Sequence, residues 1–349
     1  MDLALEQFRD RIRTARAART PLRLRGAGTK DFYGEQLQGE LLDTRSFAGI
    51  VSYEPSELVV TARCGTSLSE LENALAEHNQ FLAFEPPRFG GDPSLGGVVA
   101  AGLSGPRRAN AGAARDFVLG VNLLDANGEL LRFGGQVMKN VAGFDLSRLL
   151  CGSLGILGLI VEVSLKVLPR ARVETTLRFE LDAARAIEQF NRWNAQALPV
   201  SATAWHAGVA YLRLSGAASA VDAAARVLGG ETLAAAPVFW DSLRDQTHVA
   251  FATPRLWRLS LPSTSAFDLP DTSLIEWAGA LRWLASEAPA AEIRTAAAQT
   301  GGHAALWRGA RDTTMFHPLD DAVLGLHRRL KQRFDPHGIF NRGRLVAQL

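Results

Sequence analysis

The sequence predicts an α+β protein of two domains, and three observations carry that expectation. The chain has 349 residues, 47% of them hydrophobic, which is enough for two separate cores and too apolar for disorder. From Arg25 to Pro169 strand and helix patterns alternate around glycine-dense connections. Beyond Pro169 the glycines thin and the pattern becomes plain α+β, which places a boundary there.

The elements follow in order. Leu5, Phe8, Ile12 and Ala15 recur at three-and-four spacing, so residues 2–19 are expected to form an amphipathic helix stopped by Pro21. Leu22–Leu24 reads as a short strand, with further strands at Leu41–Asp43 and Val51–Arg63. Ser67 and Glu70 make a capping box that opens a helix over Leu68–Glu77. Phe117–Phe133 contains two apolar runs joined at Asn127 and Gly128, the signature of a hairpin. Asp145–Leu150 gives one or two helical turns, and Leu157–Leu168 gives a strand closed by Pro169. In the second half, strands are expected at Val173–Leu181, Val209–Leu214, Arg255–Leu261, Ile275–Trp283 and His303–Trp307. Helices are expected at Ala183–Ala195, Ala218–Leu228 and Leu319–Phe334.

Charge and cysteine content exclude several classes. The 38 basic and 36 acidic residues nearly cancel, so the totals carry no footprint for nucleic acid or anionic lipid. Cys64 and Cys151 form no CxxC pair, which rules out a four-cysteine iron–sulfur cluster and a disulfide framework. Asp2, Glu6 and Asp10 stand where an export signal needs a basic start and an apolar run, so a cytoplasmic chain is expected. The apolar run near Leu149 is broken by glycines and Glu162 and reads as buried sheet.

Four glycine-bearing segments hold the functional signal. Arg25-Gly26-Ala27-Gly28-Thr29-Lys30 allows positive φ and lets N–H groups face an anion, although an ordinary strand-to-helix turn explains it equally well alone. Glu85–Gly105 contains Pro93-Ser94-Leu95-Gly96-Gly97 and ends at Gly105. It is expected to be a loop with few side chains beyond Cβ, against which a flat ring or a pyrophosphate could lie. Asn110–Gly120 brings Arg115 and Asp116 before a strand, where a surface ion pair is the plain alternative. Lys139–Pro169 spaces Gly152, Gly155 and Gly158 three apart before Ile160 and Val161, a turn entering a strand.

In this order the four segments resemble the FAD-binding domain of the vanillyl-alcohol oxidase and p-cresol methylhydroxylase (PCMH) superfamily. The resemblance implies a PCMH-type FAD-binding domain of two α/β subdomains over residues 1–169, a small α+β cap over 170–318, and a return to the flavin over 319–349. It assigns the pyrophosphate to Arg25, Gly26, Ala27, Gly28 and Thr29, and the flavin to Pro93, Ser94, Leu95, Gly96, Gly97 and Gly105. Arg115 and Asp116 match its RD-x-VLG stretch, and Gly155, Gly158, Ile160 and Val161 its GSxGxLGxI stretch at the adenine and ribose. The ending FDPHGIFNRGRL is similar to that of the 2-hydroxy acid branch and puts Asn341 near the isoalloxazine ring.

Within that branch, the short chain, the alanine-rich cap and the RGAGTKDFYG start look most like the smaller FAD-binding subunits of bacterial glycolate oxidases. That likeness implies a small 2-hydroxy acid substrate, a second FAD subunit, an iron–sulfur subunit, and membrane contact only through partners on the inner face. Val98, Gly102, Leu154 and Ile156 depart from the family pattern. No histidine or tyrosine stands in the RGAGT loop, so dissociable FAD is expected. The histidines His303, His317, His327 and His337 have no metal-ligand spacing. Asn341, His303 and Arg308 are the catalytic candidates, with Arg308 or Arg311 suited to a carboxylate. Two other functions stay open: a non-catalytic or electron-relaying accessory flavoprotein, and a self-sufficient lactate or alditol oxidase.

Overall fold

A computed structural model describes residues 2–135, 145–265 and 272–349. The start of the fourth glycine segment, Lys139 to Phe144, lies outside the described residues. The chain forms two compact units. One comprises the chain up to Leu103, Ala113–Pro169 and Pro318–Leu349; the other comprises Ser104–Gly112 and Arg170–His317. Among the described residues no helix is long and apolar enough to cross a membrane.

In the first unit the opening helix, Leu3–Ala18, is capped by Asp2, whose carboxylate accepts the Ala4 N–H. It buries Phe8, Ile12 and Ala15 against Leu22, Leu42, Phe47 and Phe340. The strand Leu22–Arg25 lies parallel to Glu40–Asp43, and Leu22 also bridges Phe340. The C-terminal segment is thereby tied to the strand that feeds the first glycine loop. The other main sheet of this unit is antiparallel and runs Ile50–Glu54, Val59–Arg63, Leu159–Lys166, Val118–Leu124, Leu130–Gly134.

In this unit three expectations need correction. Val51–Arg63 is two antiparallel strands, because Pro55 opens a single 3-10 turn at Pro55–Glu57. The small-residue stretch after Pro93 is not loop throughout: Leu95–Ala101 is a helix ended by Gly102 in the left-handed region. Burial of Leu95, Val98 and Val99 outweighs the weak helix propensity of its two glycines. The hairpin does form, but through a wider loop in which the Asp125 carboxylate accepts the N–H groups of Asn127 and Glu129.

The second unit is built on an eight-stranded antiparallel sheet in the order Glu231–Thr232, Val173–Glu180, Val209–Gly216, Val200–His206, Thr272–Glu276, Leu281–Leu284, Leu256–Ser260, His303–Arg308. Helices Ala183–Asn194, Ala218–Leu228 and Ala290–Gln299 supply Phe190, Val221 and Ile293 to the cores on one face. Side chains alternate along a strand, so Arg213, Arg258, Trp283 and His303 point to the other face. Ile275–Trp283 is two strands, not one, because Trp277, Ala278 and Gly279 all adopt positive φ and reverse the chain. The strand Val200–His206 and the helix Ala290–Gln299 carry little periodicity because small residues fill them, and the helix Ala236–Arg244 is short with a proline in its first turn. The closing helix starts at Asp321 rather than Leu319, where the Asp320 carboxylate accepts the Val323 N–H.

Candidate FAD site

Several stretches of the first unit converge on one cleft, the kind of concave site that takes a small molecule or cofactor. Arg25, Gly26, Ala27, Gly28 and Thr29 form one wall. Gly28 has φ +76, a turn that lets successive N–H groups converge. The N–H groups of Ala27, Gly28 and Thr29 donate to no acceptor among the described residues. Consecutive unspent donors of this kind suit an anion. Arg25 braces the turn through its Nε, 2.7 Å from Asp31 Oδ2.

Pro93, Ser94, Gly96 and Gly97 form the facing wall together with Ala100 and Ala101. Ser94 is buried at the N-cap of its helix, where a serine hydroxyl ordinarily accepts a backbone N–H. Here its Oγ has no hydrogen-bond partner. A buried hydroxyl left alone costs about 1–3 kcal/mol, so a polar ligand group is its natural complement. Gly26 leaves the space for it, since a Cβ there would lie 1.9 Å from Ser94 Oγ.

Gly155, Gly158, Ile160 and Asn341 complete the lining. Asn341 is buried with φ 38; its Oδ1 accepts the Leu24 N–H at 2.8 Å and its Nδ2 donates to Leu154 O at 2.7 Å. Each end of the amide holds backbone, which makes Asn341 a clamp between Leu24 and Leu154. Arg344, which sequence reasoning missed, is buried and also lines the cleft. Its guanidinium donates to Asp31 O at 2.7 Å and to the carbonyls of Lys30, Tyr33 and Glu35. It thus holds the loop from the C-terminal side and places a cation in the cleft.

These features decide whether FAD fits. The unspent N–H groups of Ala27, Gly28 and Thr29 would hold a pyrophosphate, with the Arg344 charge beside them, and the small wall at Gly97, Ala100 and Ala101 would take a flat ring. Cys64 and Thr44 also line the cleft and carried no local motif. Burial pushes the Cys64 thiol up to about 12, so it stays protonated.

Across 342 residues, 97% of each chain, the sequence is 45% identical to glycolate oxidase subunit GlcE of Escherichia coli strain K12. The chain belongs to the GlcE family. Residues 4–134 of this GlcE-family chain match the family described as an FAD binding domain. Glycolate oxidase subunit GlcD of Bacillus subtilis is 32% identical over 167 residues, 46% of this chain and 34% of that protein. The D-lactate dehydrogenase of Archaeoglobus fulgidus is 29% identical over 164 residues, 45% of this chain and 35% of that protein. The solved structure of alkyldihydroxyacetonephosphate synthase superposes with a TM-score of 0.66 over 96% of this chain and 75% of that one, at 14% identity. The superposition shows the PCMH-type fold, and the matched FAD binding domain together with the likeness to glycolate oxidase subunits shows a flavoprotein of the oxidoreductase type.

Not every residue expected at the cofactor lines the cleft of this GlcE-family protein. Leu95 and Val161 point into the core. Gly105 belongs to the second unit, where its carbonyl accepts Trp277 Nε1 at 3.1 Å. Arg115 and Asp116 are exposed on the short turn Ala114–Phe117, and the Asp116 carboxylate takes the Ala113 N–H at 2.9 Å instead of a ligand. His303 and Arg308 stand at opposite ends of one strand of the second unit, ~17 Å apart at the usual rise. Arg308 Nη1 donates to Phe251 O at 2.5 Å. These two cannot close on one small substrate. Among the described residues no group of three or more His, Cys, Asp or Glu side chains could hold a metal ion.

Proposed function

We propose that this chain is the FAD-holding subunit of a multisubunit glycolate oxidase, in which glycolate, a small 2-hydroxy acid, is oxidised to glyoxylate. The observation that carries the reading is the 45% identity to subunit GlcE over 97% of both chains. Bound FAD supplies a two-electron acceptor for the hydride that leaves the substrate carbon. The chain's own residues hold the anionic part of the cofactor at Gly26–Thr29 and exclude water with Leu24, Leu154 and Ile160. Electrons then have to leave, and two cysteines cannot hold a four-cysteine cluster. We therefore assign the onward path to a second FAD subunit and an iron–sulfur subunit. The likeness to GlcD supports a flavin-bearing partner of related fold. The subunit is cytoplasmic in this reading and meets the inner membrane only through its partners.

The test is anaerobic addition of glycolate to the purified chain loaded with FAD. Loss of the flavin absorbance is the expected result, and an unchanged spectrum would turn the reading to an electron-relaying or stabilising subunit. That second reading draws its support from the separation of His303 and Arg308.

We further propose that the FAD is not covalently attached. The Arg25–Lys30 loop offers no histidine, tyrosine or cysteine for a flavin linkage, and Cys64 is held as the neutral thiol. Acid precipitation should leave the yellow colour in the supernatant; colour that stays with the polypeptide would overturn it.

A further inference from the structure

Beyond the helix Asp321–Phe334 the first unit continues to Leu349 in turns, with neither helix nor strand. Asn341 is a fixed point of this segment. Its N–H donates to Leu22 O at 2.9 Å, and its amide spans Leu24 and Leu154. From Arg342 to Leu349 the packing is thin, since only Arg344 and Leu349 are buried. The Gly343 N–H donates to Leu349 O and the Leu349 N–H to Val346 O at 3.0 Å, so these bonds lie inside the stretch and hold it together as a piece.

Arg344 attaches that piece to the loop after Thr29. Its carbonyl accepts the Glu35 N–H at 2.8 Å, and its guanidinium donates to the carbonyls of Lys30, Asp31, Tyr33 and Glu35. The approach is close enough to require glycine opposite it. Gly34 has φ +102, and a Cβ there would lie 2.9 Å from both Nε and O of Arg344.

The same stretch borders two clefts. Asn341 and Arg344 line the FAD cleft, whereas Arg342, Gly343 and Ala347 line a second cleft together with Glu35, Gln36 and Gln38. A segment with two buried side chains, a cleft on either flank and one residue for its attachment belongs to the low-stability end of a fold, where local opening precedes global unfolding. Opening at Arg344 would free the carbonyls of Lys30 and Asp31, which directly follow Thr29, and would take the guanidinium out of the cleft lining. The anion-binding turn and the width of the cleft therefore change together when this one residue lets go.

We propose that Arg342–Leu349 is a strap that undocks to let FAD enter and leave and docks to retain it, with Arg344 as its latch. The proposal deepens the FAD reading and rests on the cofactor lying against Gly26–Thr29. Motions of this kind set the rate of ligand exchange in many proteins.

A latch and a simple ligand contact differ in kinetics. Weakening a latch speeds release and uptake alike and leaves the equilibrium affinity nearly unchanged; losing a contact speeds release and weakens affinity by the same factor. Gly34→Ala is the cleaner probe, because Gly34 crowds Arg344 and does not line the FAD cleft. Arg344→Lys keeps the charge and loses the fork that reaches four carbonyls. FAD release from the loaded full chain is followed by flavin fluorescence after dilution, and the dissociation constant by equilibrium dialysis. Loss of one hydrogen bond to a charged group should speed release about tenfold, with the dissociation constant of Gly34→Ala within about twofold of the parent's. Circular dichroism checks folding, and Arg344→Lys decides the matter if Gly34→Ala does not fold. Hydrogen exchange on the parent needs no variant: residues 30–36 and 342–349 should exchange together, faster than the helix Asp321–Phe334, and slow together as FAD is added. Unchanged release in folded variants, release and affinity moving by one factor, or a strap that exchanges as slowly as the helix would overturn the proposal. Gly26–Thr29 protected by FAD alongside any of these results overturns the strap alone; Gly26–Thr29 left unprotected places the cofactor elsewhere and overturns strap and cleft together.

Discussion

Gly97→Val will give a folded protein that has lost most of its FAD. Gly97 lines the cleft from the helix Leu95–Ala101, and a Cβ there meets only Ser94 Oγ, at 3.2 Å. The protein meets the Cβ with one hydroxyl that must give by a few tenths of an ångström, and valine is no worse a helix former than glycine. The added methyl groups must therefore occupy ligand space. Overpacking of this kind costs about 1–3 kcal/mol, which corresponds to an affinity loss of roughly five- to a hundredfold. Flavin absorbance per chain after gel filtration, with circular dichroism as the check on folding, measures it. A folded variant with full FAD content would mean that the cofactor lies elsewhere. Gly26→Val is the less informative partner, because its Cβ would already strike Ser94 Oγ at 1.9 Å and disturb protein and ligand together.

That contrast marks what the sequence could and could not reveal. The RGAGT and PSLGG turns were legible because glycine reports a local backbone need, and local needs are written in consecutive residues. The helix Leu95–Ala101 was not, because two adjacent glycines read as loop until Leu95, Val98 and Val99 are seen to be buried. Val161 follows Ile160 on one strand, so only one of the two could face the cleft. Alternation could have excluded Val161 in advance. Cys64, Thr44 and Arg344 reach the cleft by tertiary return, for which no local pattern exists. Arg344 had one usable signal: it stands three residues after Asn341 in the segment whose ending pointed to the flavin. Gly105, Arg115 and Asp116 lie in or beside the excursion Ser104–Gly112, whose departure to the second unit has no compositional mark.

The second large effect is expected away from the cleft wall, at Lys331 and Asp335. One helical turn apart, they form an ion pair of 2.7 Å with side chains only 8% and 0% exposed. Burial pushes the Lys331 ammonium down from the usual lysine range while Asp335 pulls it back. Nζ also donates to Ile156 O at 2.7 Å and Phe340 O at 2.8 Å. The Asp335 carboxylate accepts the N–H groups of Ile339 and Phe340 at 3.0 and 2.8 Å. Every polar atom of the pair thus has a partner, and two of those partners flank cleft residues: Ile156 follows Gly155, and Phe340 precedes Asn341. Lys331→Met strands a buried carboxylate and two carbonyls, for which about 3–5 kcal/mol is the expected loss. In a unit of this size that lowers the melting midpoint by on the order of 10 °C. Pairing Lys331→Met with Asp335→Asn should recover part of the loss, because no unpaired charge remains, and the double-mutant cycle isolates the coupling. If the pair only stabilises the fold, FAD affinity at low temperature stays at the parent value. If it positions Gly155 and Asn341, affinity falls even where the variant is fully folded, and excess FAD raises the midpoint by less than it does in the parent. The second outcome is the one expected, since both clamped carbonyls adjoin the cleft lining. A single variant that melts within a degree or two of the parent would show that neither charge is held as described.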